Sequence, residues 1–320
     1  KETRREKFLR EMDGVIPWAS QCQLLAVHYP KGTGAKGGRP ALDMEVMLRI
    51  HYLTLFFNLA DEAMEEALYE QPLLRRFARL DLGDAAIPDA TSILGFRHLL
   101  ERHHLAEALF TQVRELLRQR GVMLKVGSIV DATLIAAPSS TKNEKKERDP
   151  EMHSTKKGNQ WYFGMKAHIG VDADSGLVHT VKGTSAEVSD VSQGHALLHG
   201  EEEIAFGDAG YQGIEKRPEA SESQPQWHVA LRPSQRKALD ESKPLQAIKK
   251  QIERIKSGIR AKVEHPFRVM KQQFGFRKVR YRGLAKNTAR IQSLMMVVNL
   301  WMIRNRPLPV AGQLCLQNGT

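Results

Sequence analysis

Cysteine is nearly missing: the 320 residues hold only Cys22 and Cys315. Two such distant thiols build neither a disulfide framework nor a zinc site, and they suit a reducing compartment. Long apolar runs are missing too. The longest, Leu294 to Ile303, is interrupted by Asn299 and falls short of the ~20 residues that span a bilayer. Residues 1–7, KETRREK, have no apolar core of a secretory leader. The Gly32, Gly34, Gly37 and Gly38 cluster is not followed by Gly-Lys-Ser/Thr at a helix start, so no P-loop for nucleoside triphosphates is expected. His98, His103 and His104 lack a cysteine or acid at ligand spacing, and His195 and His199 lack a third ligand. All five read as ordinary surface histidines rather than zinc ligands. A soluble, cytoplasmic protein is expected.

Acids are scarce in one place. From Arg232 to Arg282 there are four, Asp240, Glu241, Glu253 and Glu264, against 16 Lys and Arg, a net of +12. The whole chain is +11, so the remainder sums to −1. A cation excess gathered in one segment suits a polyanion, because neutralising phosphates releases condensed counterions.

What is present divides the chain. Residues 1–40 read as a helical arm and a Gly-rich linker. Residues 41–121 read as helix after helix. Asp43 caps an apolar stripe of Met44, Met47, Leu48 and Leu55, Asp61 opens a short helix, and Asp89 opens another that places Arg97, His98 and Arg102 outside. Gly121 stops the last of them. Residues 122–306 change grammar. Val126–Val130 is a strand ending on Asp131, and the charged stretch 139–158 reads as mobile. Trp161–Val171 and Leu177–Lys182 form a hairpin, and Gly194–His199 reads as helix. Ile204–Gly207 is a strand ending on Asp208, and Gln226–Leu231 another, before basic helices. Residues 307–320 are a tail. This order predicts an α/β fold, a mixed sheet flanked by helices, behind an all-helical N-terminal module.

Three acids stand out. Asp131 and Asp208 each follow an apolar strand, where a carboxylate has no use unless it is paired or binds metal, and ligands of open α/β sheets gather at strand ends. The third, Glu264, shares a helical face with Arg260 and Lys271 if 260–271 is one helix. Val263, Phe267 and Met270 then make its apolar stripe, and Pro266 kinks it.

At these residues the sequence resembles the DDE transposases of bacterial insertion sequences, specifically the IS-five group. The resemblance runs through GGRPALDMEVMLRIHYLTLFFNLADEAMEEALYE, IPDATSILGFRHLLERHHLAEALF, IVDATLIAAPSSTKNEKKERDPEMHSTKKGNQWYFGMKAHIGVD, FGDAGYQG and RAKVEHPFRVMKQQFGFRKVRYRGLAKN. The family's Y-x2-R-x3-E-x6-K signature falls on Ser257, Arg260, Glu264 and Lys271; Ser257 departs from it, so the tyrosine's role is not carried over. The resemblance implies an RNase H-like core with Asp131, Asp208 and Glu264 as catalytic, metal-binding carboxylates. It implies Mg²⁺, with Mn²⁺ as a substitute, and a nucleoid-associated protein that acts on double-stranded DNA, both terminal inverted repeats and target. Asp131 would bridge two ions, with Asp208 and Glu264 each holding one. A homodimer is expected, since two element ends must meet. Arg260, Lys271, Arg268, Trp161, Lys166, Arg97 and Arg102 are the expected DNA contacts, with Trp161 a base-stacking candidate and the Asp89–Arg102 helix the candidate for groove insertion. A metal-dependent nuclease that never joins, and a transposase-derived DNA-binding protein, are the alternative readings.

Overall fold

The computed structural model describes residues 1–30, 41–80, 86–124, 126–144, 146–219 and 225–305. The Gly-rich linker, the 307–320 tail and Cys315 lie outside the described residues.

Helices come first: α1 (Arg4–Val15), α2 (Trp18–Leu25), α3 (Met44–Phe57), α4 (Asp61–Glu70), α5 (Pro72–Ala78), α6 (Ala90–Arg102) and α7 (Leu105–Gln119). Their starts follow capping chemistry. The Asp43 carboxylate accepts from Val46 N at 2.9 Å and that of Asp89 from Ser92 N at 2.8 Å. Asp61 lies inside the first turn of α4 instead of capping it; its carboxylate goes to Arg97. Gly121, at φ 65, allows the turn out of α7.

The strands are β1 (Gly127–Ala136), β2 (His153–Lys157), β3 (Gln160–Asp172), β4 (Val178–Ser185), β5 (Ile204–Gly207) and β6 (Gln226–Val229). They form one mixed sheet in the order β2-β3-β1-β5-β6, with β4 paired to β3. β1 and β4 run antiparallel to β3, while β5 runs parallel to β1 and β6 parallel to β5. Three sequence expectations change. The 139–158 stretch contributes a strand, because residues 153–157 zip onto the start of β3. The expected 194–199 helix is only a short 3-10 turn at His195–Leu197 behind α8 (Asp190–Gln193), with Gly194 pressed against Ile214 and Tyr211. β1 does not stop at Asp131: residues 132–136 continue the antiparallel pairing as far as Ala136 opposite Gly164.

α9 (Pro233–Lys237), α10 (Pro244–Arg268) and α11 (Leu284–Ile303) complete the order. α10 lies across β1 and β5. Pro266 sits within it, and the winding beyond loosens into a π-helical turn at Val269–Gln273, as a missing proline N–H and ring clash would favour. Its outer half exposes Leu245, Ile248, Ile252 and Ile255. α11 is buried along most of its length and packs on α1, α3, α7 and β4. Buried Asn299 within it bonds both backbone groups of Val178, accepting at 2.8 Å and donating at 2.7 Å. Tyr52 of α3 donates to Gln21 of α2 at 2.8 Å, beside Met296 of α11. First and last helices therefore share one core. Among the described residues no helix is long and apolar enough to cross a membrane.

Candidate active site

The parallel register decides where the first two acids stand. Ile129 pairs with Phe206, so two residues further along each chain Asp131 and Asp208 come level. Parallel neighbours lie ~4.8 Å apart and point the same way. Asp131 is thus mid-strand but stands where the β1–β5 pairing ends. Asp208 leaves β5 and caps the turn Ala209–Tyr211, accepting from Gly210 N at 2.8 Å. Asp131 accepts only from its neighbour Ala132 N, at 2.7 Å. Neither carboxylate has an ion-pair partner among the described residues.

α10 carries the third acid across this face. Val263, Pro266 and Phe267 are buried on it, as is Glu253, which accepts from Leu231 N at 2.9 Å and pairs with Lys256. Within the π-helical turn, Lys271 Nζ donates to Thr133 Oγ1 at 2.6 Å and to Leu134 O at 2.8 Å, which pins this segment to β1. Thr133 and Asp131 share a face by strand alternation. Between Arg260 and Lys271, Glu264 is exposed. An acid amid so many cations is ordinarily salt-bridged; Glu264 has no such partner among the described residues. The Arg260 Nε is buried without a hydrogen-bond partner.

Burial pushes the Asp131 carboxyl up to about 6. The Ala132 N–H opposes that rise, the negative charges of Asp208 and Asp190 add to it, and the Arg260 guanidinium pulls the other way. Two unpaired carboxylates level at one strand end, Asp131 and Asp208, are what a divalent cation would relieve, and hard oxygen donors suit Mg²⁺ or Mn²⁺. Asp131 and Asp208 fit such an ion, whereas Glu264 is not brought within 4.8 Å of both: among the described residues only His179, His199 and Glu202 form a trio at that spacing. Beside them a cleft of about 270 Å³ is lined by Thr133, Lys157, Tyr162, Lys271 and Arg277. Burial, then Lys157 and Arg277, lower the Lys271 ammonium from its ordinary value.

The expected DNA contacts divide. Trp161 is 67% exposed at the β2–β3 hairpin, opposite Lys156. Arg102 and Arg268 are exposed. Arg97 faces inward, a correction: its side chain is 13% exposed, 2.9 Å from both Asp61 and Glu101, and stacked over Tyr281 at 4.2 Å. Lys166 is likewise committed, also 13% exposed, donating to Val188 O at 2.7 Å and sitting 3.0 Å from Asp190. Tertiary partners, invisible to helical or strand periodicity, claim both cations. Asp190 itself escaped the sequence reading, for it lies in a polar loop with no apolar strand before it.

A second group also escaped it. His199 has the partners that sequence spacing could not supply: ligand atoms of His179, His199 and Glu202 lie within 4.8 Å of one another. Ser128 joins them, 2.9 Å from His179 Nε2 and donating to Glu202 at 2.8 Å. Ser128 and Asp131 are three apart on β1, so this cluster is on the opposite face from the three acids. His195 instead meets Ile214 O at 3.0 Å.

Comparison with known proteins fits this geometry. A family described as transposase DDE domain matches residues 123–300, which takes in the whole sheet and α10. A second, described as transposase domain (DUF772), matches residues 1–99. No solved structure gives a significant match. Membership implies DNA as the partner, a divalent metal cofactor and nucleotidyl-transferase or endonuclease chemistry. With an RNase H-like mixed sheet behind a helical N-terminal region, the chain belongs to the DDE-domain transposases.

Proposed function

We propose that this transposase binds the terminal inverted repeats of an insertion sequence, cleaves at the element ends and joins the freed 3′-hydroxyls to target DNA. Asp131, Asp208 and Glu264 are the catalytic carboxylates of this reading. The observation that carries it is the level placement of Asp131 and Asp208 beneath α10, whose Glu264 stays unpaired in the most basic part of the chain.

The three carboxylates supply hard oxygens for Mg²⁺, with Mn²⁺ as a substitute; a bound pair of such ions activates a water and neutralises charge on the leaving oxygen. Hydrolysis breaks the bond between phosphorus and the 3′ oxygen and leaves a 3′-hydroxyl. That hydroxyl then displaces the 3′ oxygen of a target phosphodiester. One ester bond forms for each one broken, so joining needs no external energy source. Arg260 and Arg268 hold backbone phosphates, with Arg the two-pronged donor. Lys271 braces α10 against β1 and adds its positive charge to the cleft beside Asp131. Trp161 offers a face for stacking on an unpaired base, and Arg102 contacts backbone from α6. Two copies act together, because two element ends are processed.

The test incubates the protein with DNA carrying the element ends, target DNA and Mg²⁺. Cleaved and joined products are expected. Replacing Asp131, Asp208 or Glu264 by Ala should remove both while DNA binding persists. Full cleavage by any one of these variants overturns the assignment. Cleavage without joining would indicate a nuclease, and binding without cleavage a transposase-derived DNA-binding protein.

A further inference from the structure

The face of the sheet away from Asp131 carries a polar group of its own. Ser128 stands there near the start of β1, His179 near the start of β4, and His199 and Glu202 just ahead of β5. Gly170 of β3 makes the room. A methyl at that position would lie 2.7 Å from His179 Cε1 and 2.2 Å from the Leu197 carbonyl oxygen. The His179 ring thus takes the space that a β3 side chain would fill.

The distances within the group are those of a small cation site. His199 Nε2 lies 3.4 Å from Glu202 Oε1. Ser128 Oγ lies 2.9 Å from His179 Nε2 and 2.8 Å from the same Glu202 oxygen. Ligand atoms of His179, His199 and Glu202 all fall within 4.8 Å of one another. Zinc holds imidazole nitrogen and carboxylate oxygen at ~2.1 Å, so the edge of its tetrahedron is ~3.4 Å. The His199–Glu202 pair already has that edge, and Ser128 Oγ stands beside the other two ligands as a fourth donor. The ligands are also held from behind, as metal ligands generally are. His179 Nδ1 lies 2.9 Å from Thr180 Oγ1, and Glu202 accepts from His199 N at 2.6 Å and from Gly200 N at 2.7 Å.

Charge points the same way. The Glu202 side chain is 1% exposed, yet its only ion-pair partner among the described residues is His199, a cation only when protonated. A carboxylate buried to that degree is ordinarily paired with a full cation or ligates a metal. Two imidazoles with one carboxylate suit zinc, whereas Mg²⁺ prefers oxygen alone. The His199 side chain, 18% exposed, is the edge open to solvent. Its Nδ1 accepts from Glu201 N at 3.2 Å. That long contact gives way when metal takes Nε2 and the ring proton moves to Nδ1.

We propose that His179, His199 and Glu202, with Ser128 as fourth donor, form a structural zinc site separate from the catalytic carboxylates. The ion ties β1 and β4 to the approach of β5. By fixing residues 199–202 it sets the entry of the strand whose far end delivers Asp208.

The test titrates Zn²⁺ into the full chain without DNA, by calorimetry and by thermal melting. An Asp131→Asn background and excess Mg²⁺ keep the catalytic acids out of the count. One Zn²⁺ per chain is expected, with a melting temperature above that in chelator. His199→Ala should weaken zinc by more than the about 10- to 100-fold that loss of a supporting contact costs, and should lose the rise in melting temperature. Glu202→Gln, which keeps the size and removes the charge, should weaken zinc in the same direction. A parent that takes up no zinc and melts alike in zinc and in chelator overturns the proposal, because the group is then a hydrogen-bonded brace alone. Parent-like zinc affinity in either variant overturns it too, because the ion is then held elsewhere. Should Glu202→Gln lose its fold, His199→Ala decides, since its side chain lies at the open edge.

Discussion

Asp131→Asn should make the metal-free protein more stable at pH 8, although it removes a catalytic group. In the folded chain the Asp131 carboxyl is pushed up to about 6 from 3.8, first by burial and then by Asp208 and Asp190. A carboxyl whose folded value is raised adds stability that is complete below its unfolded value and is lost as pH rises through the folded one. The window is therefore pH 4 to about 6. At about 1.4 kcal/mol per pH unit the difference is about 3 kcal/mol. Solvent at the outer edge of this half-buried group reduces that by roughly half. Asparagine resembles the neutral acid, so the variant should melt about 2 °C above the parent at pH 8 and level with it near pH 4. Added metal should reverse the order, stabilising the parent by about 2.7 kcal/mol at a hundredfold excess over its dissociation constant and leaving the variant unmoved. Thermal melts in chelator and in Mg²⁺ at both pH values measure all four quantities. A variant no more stable than the parent at pH 8, or equally stabilised at both pH values, would refute the reasoning.

Arg97→Met and Trp161→Ala should separate architecture from recognition. The first removes contacts to Asp61, Glu101 and Tyr281 and should lower stability by roughly 2–4 kcal/mol in urea unfolding, without changing the salt slope of DNA binding. The second should leave stability alone and weaken DNA binding by about 1–3 kcal/mol in a fluorescence titration. Gly164→Ala places a methyl against the Ile135 carbonyl at a backbone φ of +158; a loss of more than about 2 kcal/mol is expected, and parent-like unfolding would show that β1 and β3 can separate there.

Local chemistry made much of this legible. The caps at Asp43 and Asp89 and the hairpin of β3 and β4 are written in neighbouring residues, and the structure has them where the sequence puts them. Asp208 does follow its apolar strand. What stayed hidden depends on residues far apart in the chain. β1 runs past Asp131 because β3 pairs with it to Ala136, yet Ala132 and Thr133 give no strong strand signal of their own. β2 is concealed in a charged stretch, since its Lys-rich residues sit at an edge and have no burial pattern to betray them. Arg97 looks like a surface residue until Asp61, 36 positions away, is brought to it. Asp190 and the His179–Glu202 contacts belong to the same class, being created by the sheet rather than by any segment.

The placement of α11 bears on how the protein is made. Its buried face completes a core that α1, α3 and α7 began, but residues 284–303 leave the ribosome long after residues 4–119. At about 5–20 residues per second, the first helices wait on the order of ten seconds or more with an apolar flank uncovered. A message cut short before residue 284 would leave that flank bare. Bare apolar surface of that kind is what chaperones hold or proteases clear, so translation through α11 is what closes the core.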